Sequence, residues 1–116
     1  MIIGTGIDII EIERIQKAID RWGDLFLNHV FNKEEIDYAR KNKFPIQHFA
    51  ARFAAKEAIY KALKDNMDIT WKHITILNDK TGQPYCVLKD KSIKHKIYIS
   101  ISHTHNYAVA NAVIET

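Results

Sequence analysis

Asp8 and Glu57 are acids set among apolar neighbours, and a carboxylate in such surroundings needs a partner. Within FAARFAAKEAIYKAL, residues 49–63, a helical step of about 100° per residue gathers Phe49, Phe53, Tyr60 and Leu63 on one side. Ala51, Ala54, Ala55, Ala58, Ile59 and Ala62 fill the opposite arc. Arg52 and Lys56 lie in one seam between these arcs, and Glu57 and Lys61 in the other, so Glu57 is the only carboxylate of the segment. One partner for it is Lys61, an i,i+4 pair in the favourable order worth a few tenths of a kcal/mol. The other is a hard cation, with the Lys61 ammonium on a phosphate oxygen, and that chemistry requires a second carboxylate.

Asp8 can supply it. MIIGTGIDII alternates like a strand, with Ile3, Ile7 and Ile9 on one face and Ile2, Gly4, Gly6, Asp8 and Ile10 on the other. The two glycines clear the row that ends at Asp8, so a ligand or another backbone can come close to it. Asp8 followed by Glu11 also has the spacing of a helix capping box, and the two readings are compatible. His103 and His105 raise the question of zinc, but zinc takes three or four Cys, His or carboxylate ligands and no Cys stands near them. They read as turn histidines, or, with the hydroxyls of Ser100 and Ser102, as the lining of a phosphate site.

The elements that must position these residues are legible in order. Residues 11–22 have helical periodicity, with Ile12, Ile15, Ile19 and Trp22 on one side and the cations Arg14, Lys17 and Arg21 on the other, Glu13 and Asp20 falling beside that stripe. Gly23 ends this helix and a short helical turn spans 24–30. Asn32 as N-cap, Glu35 closing a capping box and Phe31 stapled to Ile36 predict a helix over 33–40. Pro45 suits the first turn of the long central helix, expected to reach about residue 64 with Asn66 at C′. Beyond Met67 the pattern turns to strands over 71–77, 85–88, 96–102 and 107–114, mostly antiparallel, with Ile97, Ile99 and Ile101 facing away from Tyr98, Ser100 and Ser102. The expected architecture is a single α+β domain over 1–116, an antiparallel sheet packed on a long central helix.

At 116 residues the chain has the length of one domain. Its 47% hydrophobic and 27% charged composition marks an ordinary soluble globular protein rather than a disordered or membrane chain. No stretch is long enough to span a bilayer, no basic segment precedes the first apolar run, and Cys86 alone cannot form an internal disulfide. A cytoplasmic protein without membrane contact is expected. The net charge of +3 favours an anionic ligand or partner.

GIDIIEIERI at 6–15, RFAAKEAIYKAL at 52–63, the Gly82 and Pro84 turn, and SISHT at 100–104 together resemble the holo-acyl-carrier-protein synthases, small phosphopantetheinyl transferases. The resemblance runs the length of the chain. It implies that Asp8 and Glu57 hold Mg²⁺ on the pyrophosphate of coenzyme A while the serine hydroxyl of an acyl carrier protein attacks the pantetheine-side phosphorus. It also implies that Lys61 neutralises phosphate or leaving-group charge and that His103 contacts the nucleotide. Arg52, Gly82, Pro84 and Ser100 would complete the coenzyme site, with Lys41 and Lys43 as further candidates for its 3′-phosphate. Glu57 would take the serine proton directly or through a water. The family forms homotrimers with sites between subunits, and its acidic carriers would dock on Arg14, Lys17 and Arg21. Gln83 departs from a position that is often basic in the family, which bears on one contact to the nucleotide. Two rival readings exist: a metal phosphohydrolase built on Asp8, Glu57, His103 and His105, and a basic nucleic-acid-binding module, for which the chain lacks a stacking-aromatic motif.

Overall fold

The computed structural model describes residues 1–63 and 69–116. The strand β1 (Ile2–Glu11) is followed by the helices α1 (Ile12–Trp22), α2 (Asp24–Val30), α3 (Lys33–Arg40) and α4 (Pro45–Leu63). A 3₁₀ turn (Trp71–His73) then leads to the strands β2 (Ile74–Asn78), β3 (Pro84–Leu88), β4 (Lys96–His103) and β5 (Tyr107–Glu115). The expected end of the central helix near residue 64 and its Asn66 cap lie outside the described residues.

Small residues let α4 settle against the sheet. Ala54, Ala55, Ala58 and Ala62 are buried against β5, whose helix-facing row is Ala108, Ala110, Ala112 and Ile114. β1 comes closer still: a Cβ on Gly6 would overlap the Ala58 carbonyl oxygen, and one on Gly4 that of Ala62. The periods match, since two residues of strand advance about 6.6 Å and four residues of helix about 6 Å. The close backbone approach allowed by the glycine row is therefore made by α4, and it fixes the height at which Asp8, two residues further on, meets the helix. Gly6→Ala is expected to destabilise the protein by about 3 kcal/mol, the upper end of ordinary overpacking, and to lower activity in whatever folds by pushing Asp8 off the helix. Denaturant titration and a specific-activity assay check this; a tolerated alanine with full activity would contradict the register.

The sheet is split. β1, β5 and β4 form a three-stranded antiparallel sheet in the order β1-β5-β4, while β2 and β3 pair separately. The anticipated single sheet is thus two, and the expected strand over 71–77 is shorter, since its first residues turn as 3₁₀ and only Ile74 onward extends.

A buried polar knot joins the two halves. Lys56 and Glu35 are both fully buried. The Lys56 ammonium donates to Glu35 Oε1 at 2.7 Å, to the Val30 carbonyl at 2.8 Å and to the Trp71 carbonyl at 3.1 Å. Glu35 accepts the backbone N–H of Asn32, as the capping box requires, and also that of Ile76. The Asn32 amide turns to β2 and the residue before its turn's end, donating to the carbonyls of Ile74 and Lys72 and to the Thr75 hydroxyl. Phe31 and Ile36 share one buried cluster, consistent with the staple.

Three expectations change. Asp8 does not cap α1: it lies within β1, and the residue before the helix is Glu11. Trp22 and Tyr60 are about half exposed rather than in the core: Trp22 is the last residue of α1, and Tyr60 is on the face of α4 away from the alanines that pack on the sheet.

Candidate active site

Glu57 projects from α4 into a cleft of about 450 Å³ whose walls include Lys56, Tyr60, Thr70, Trp71 and Ile74. Its proton affinity is raised, first by burial and then by the negative charge of Asp8, with Lys61 opposing. Glu57 therefore feels the charge of Asp8, although the two are far apart in sequence. Burial that disfavours ionisation is tolerated when a cationic ligand makes use of it.

Lys61 does not form the expected i,i+4 pair with Glu57. Its ammonium donates instead to Asp8 Oδ1 and to the Ile7 carbonyl, each at 3.0 Å. Helical side chains lean toward the N-terminus, so Lys61 reaches back along α4 to the strand rather than along its own surface.

Among the described residues no hydrogen bond contributes to the Glu57 shift, and no three His, Cys, Asp or Glu side chains gather to hold a metal ion. His103 and His105 thus do not join the carboxylates, which removes the ligand set of the phosphohydrolase reading. A pair of carboxylates beside a cleft fits a hard cation that keeps waters and substrate phosphates for its other positions, as Mg²⁺ does.

A second cluster forms around Arg52. Its guanidinium is buried, donates to Asn78 Oδ1 at 2.6 Å and lies 4.4 Å from the centre of the Tyr38 ring, while its Nε has no partner among the described residues. Asn78 in turn donates to the Gly82 carbonyl at 3.0 Å. Arg52 is thereby connected to the turn before Pro84, where Gly82 has a φ of 88° that favours glycine. His48 packs edge-on against Tyr38, and burial, then Arg52, then His103 lower its proton affinity. Asn78 and His48 were not singled out in the sequence. His48 stands one helical turn before Arg52, and Asn78 closes a strand before a polar turn, which are the signals that mark them.

The expected row of Ser100, Ser102 and His103 separates. Ser100 pairs across Asn111 and is exposed on the face of the sheet away from α4, whereas His103 pairs with the buried Ala108 in the row of the isoleucines. Alternation of side chains puts even and odd positions of one strand on opposite faces. On α1, Arg14, Lys17 and Arg21 are exposed, but Glu13 reaches Lys17 at 3.4 Å, so the stripe is not free of acids, and Arg21 lies over the Trp22 ring. The Cys86 thiol is pushed up to about 12, chiefly by burial, and carries no nucleophilic thiolate at neutral pH.

Known proteins resemble this chain along its whole length. The holo-[acyl-carrier-protein] synthase of Thermodesulfovibrio yellowstonii is 47% identical over 114 residues, covering 98% of this chain and 99% of the relative. That of Protochlamydia amoebophila is 49% identical over 119 residues, covering 97% and 98%. Among solved structures, the holo-(acyl-carrier-protein) synthase of Bacillus anthracis in complex with CoA (3′,5′-ADP) superposes with a TM-score of 0.88 at 36% identity, covering 100% of this chain and 98% of its own. The Helicobacter pylori synthase in complex with coenzyme A gives 0.84 at 30% identity, covering 96% and 99%. Residues 4–112 match the family described as the 4′-phosphopantetheinyl transferase superfamily, and the chain belongs to that superfamily as a holo-[acyl-carrier-protein] synthase.

Proposed function

We propose that the chain transfers the 4′-phosphopantetheine group of coenzyme A to a serine of an apo-acyl carrier protein, in the cytoplasm and in the service of fatty acid biosynthesis. The observation that carries the reading is the grouping of Asp8, Glu57 and Lys61 where β1 meets α4: Lys61 donates to Asp8, the proton affinity of Glu57 is raised by burial and by Asp8, and Glu57 lines the adjoining cleft. Asp8 and Glu57 would hold Mg²⁺, which supplies neutralisation of the pyrophosphate charge when bound.

The chain's own groups do the rest. The serine Oγ forms a bond to the pantetheine-side phosphorus, and the bond from that phosphorus to the bridging oxygen breaks, so 3′,5′-ADP leaves with the oxygen and its electron pair. Glu57, whose burial raises its proton affinity, receives the serine proton. Lys61 sets its positive charge against the phosphates. Arg52, connected through Asn78 to the turn of Gly82 and Pro84, orders the nucleotide end, with His103 beside it. Little covalent chemistry is asked of the protein: positioning and charge neutralisation dominate phosphoryl-group transfer. Incubated with coenzyme A and Mg²⁺, an apo-carrier should gain one phosphopantetheine by mass spectrometry, and a carrier with its serine replaced by alanine should gain none. Release of inorganic phosphate without a carrier adduct would favour a hydrolase and overturn this reading.

Ser100 lies on the outer sheet face beside Val109 and Val113 of β5, and across β5 from it and from Ser102 stand Ile7 and Ile9, which are 65% and 64% exposed. An exposed apolar sheet face of this kind fits a subunit interface, and a homotrimer would bring Ser100 to a neighbour's site. Ile7→Glu with Ile9→Glu is expected to yield monomers in sedimentation velocity with most activity lost. Active monomers would show that each chain carries a self-contained site.

Docking of an acidic carrier is assigned to α1. Exposed charges are individually weak, often under about 1 kcal/mol, yet together they govern encounter. Arg14→Glu with Arg21→Glu should raise KM for the carrier and flatten its salt dependence, leaving KM for coenzyme A little changed. An unchanged carrier KM and salt slope would make the stripe a solvated face only.

A further inference from the structure

Two lysines flank Glu57 on α4, and they are held in opposite ways. Lys56 is fully buried and donates to three acceptors. Lys61 keeps 50% of its side chain exposed and rests on one carboxylate, Asp8, itself 16% exposed, together with the Ile7 carbonyl. An ion pair so open to water is weak and changes partners readily, whereas Lys56 cannot leave its acceptors without stranding a charge.

Asp8 therefore has two claimants. The ammonium occupies Asp8 Oδ1 at 3.0 Å, and a divalent cation on the same carboxylate would have to share it with a like charge, which repels. Accepting the assignment of Asp8 and Glu57 as the cation's ligands, on which this step rests, we propose that Lys61 is the resident counter-ion of Asp8 and competes with the divalent cation for it. Cation binding is thereby coupled to movement of the ammonium from Asp8 onto an anionic group of the substrate. The same lysine opposes the cation at Asp8 before substrate binds and assists it once phosphate is present. Removing its charge has opposite consequences for cation binding and for transfer, a split that a purely structural role would not produce.

The test is equilibrium binding of Mn²⁺ alone, read from the free-ion paramagnetic resonance signal, with the full-length protein and no coenzyme. Lys61→Met and Lys61→Gln are expected to bind Mn²⁺ about fivefold more tightly than the native chain, the scale of an exposed ion pair. Lys61→Arg should bind no more tightly than native, and the gain should shrink as monovalent salt rises. Transfer activity of Lys61→Met and Lys61→Gln should fall at saturating Mn²⁺. If both variants bound Mn²⁺ as the native chain does or more weakly, with Asp8→Asn still abolishing binding, the competition would be overturned and the carboxylate assignment would stand. If Asp8→Asn bound Mn²⁺ like the native chain, both would fall.

Discussion

Asp8→Asn and Glu57→Gln are each expected to lower transfer by about a hundredfold or more, the scale on which one charge-stabilising group acts in a transition state. Both substitutions preserve shape and remove a charge. Because the two carboxylates are read as one cation site, the double variant should be little worse than the poorer single one. Stability should move the other way for Glu57. A carboxyl whose proton affinity is raised on folding binds protons better folded than unfolded, so its ionisation opposes folding. Its contribution is full below the ordinary carboxylate range and is lost as pH rises through the raised value. In metal-free buffer at neutral pH, Glu57→Gln should melt at or above the native temperature, and the gap should close as pH falls through the raised value. Near-native activity of either single variant at low Mg²⁺ would contradict the shared site, and a clearly less stable Glu57→Gln would assign Glu57 a structural role.

Breaking the buried pair should have the largest effect on stability. Glu35→Ala leaves the Lys56 ammonium buried without its carboxylate, a loss of about 3–5 kcal/mol for pairs of this kind. Buried ion pairs can often be replaced by apolar residues at little cost, but here the pair also serves backbone groups: the carbonyls of Val30 and Trp71 and the N–H groups of Asn32 and Ile76. Glu35→Leu with Lys56→Met would leave all of these unpartnered, so the double variant should recover little. Urea titration of the three proteins checks this, and an apolar pair with native stability would show that those backbone groups find other partners.

Local chemistry was the most legible part of this chain. The helix over 33–40 matches α3 because its start is written in adjacent residues, Asn32, Glu35 and the staple of Phe31 on Ile36. Asp8 and Glu57 stood out as acids in apolar rows, and in the structure Glu57 feels the charge of Asp8. What depends on distant contacts was hidden. Lys56 looks like its neighbour Lys61 in the helical pattern, and only Glu35 and the carbonyls of Val30 and Trp71 decide that it is buried. Of the two readings open for Lys61, a pair with Glu57 or a phosphate contact, neither named Asp8, its partner in the structure, because Asp8 lies on another element. The split of Ser100 from His103 was available from the alternation of β4, but their closeness in sequence obscured it.

The most direct test of the central claim is the mass of an apo-carrier after incubation with coenzyme A and this protein, with Mg²⁺ supplied or chelated. One added phosphopantetheine is predicted with Mg²⁺ and the native chain. Almost none is predicted after chelation, or with Asp8→Asn or Glu57→Gln at the same Mg²⁺. A carrier modified equally well after thorough chelation, or by the double variant Asp8→Asn with Glu57→Gln, would contradict the account.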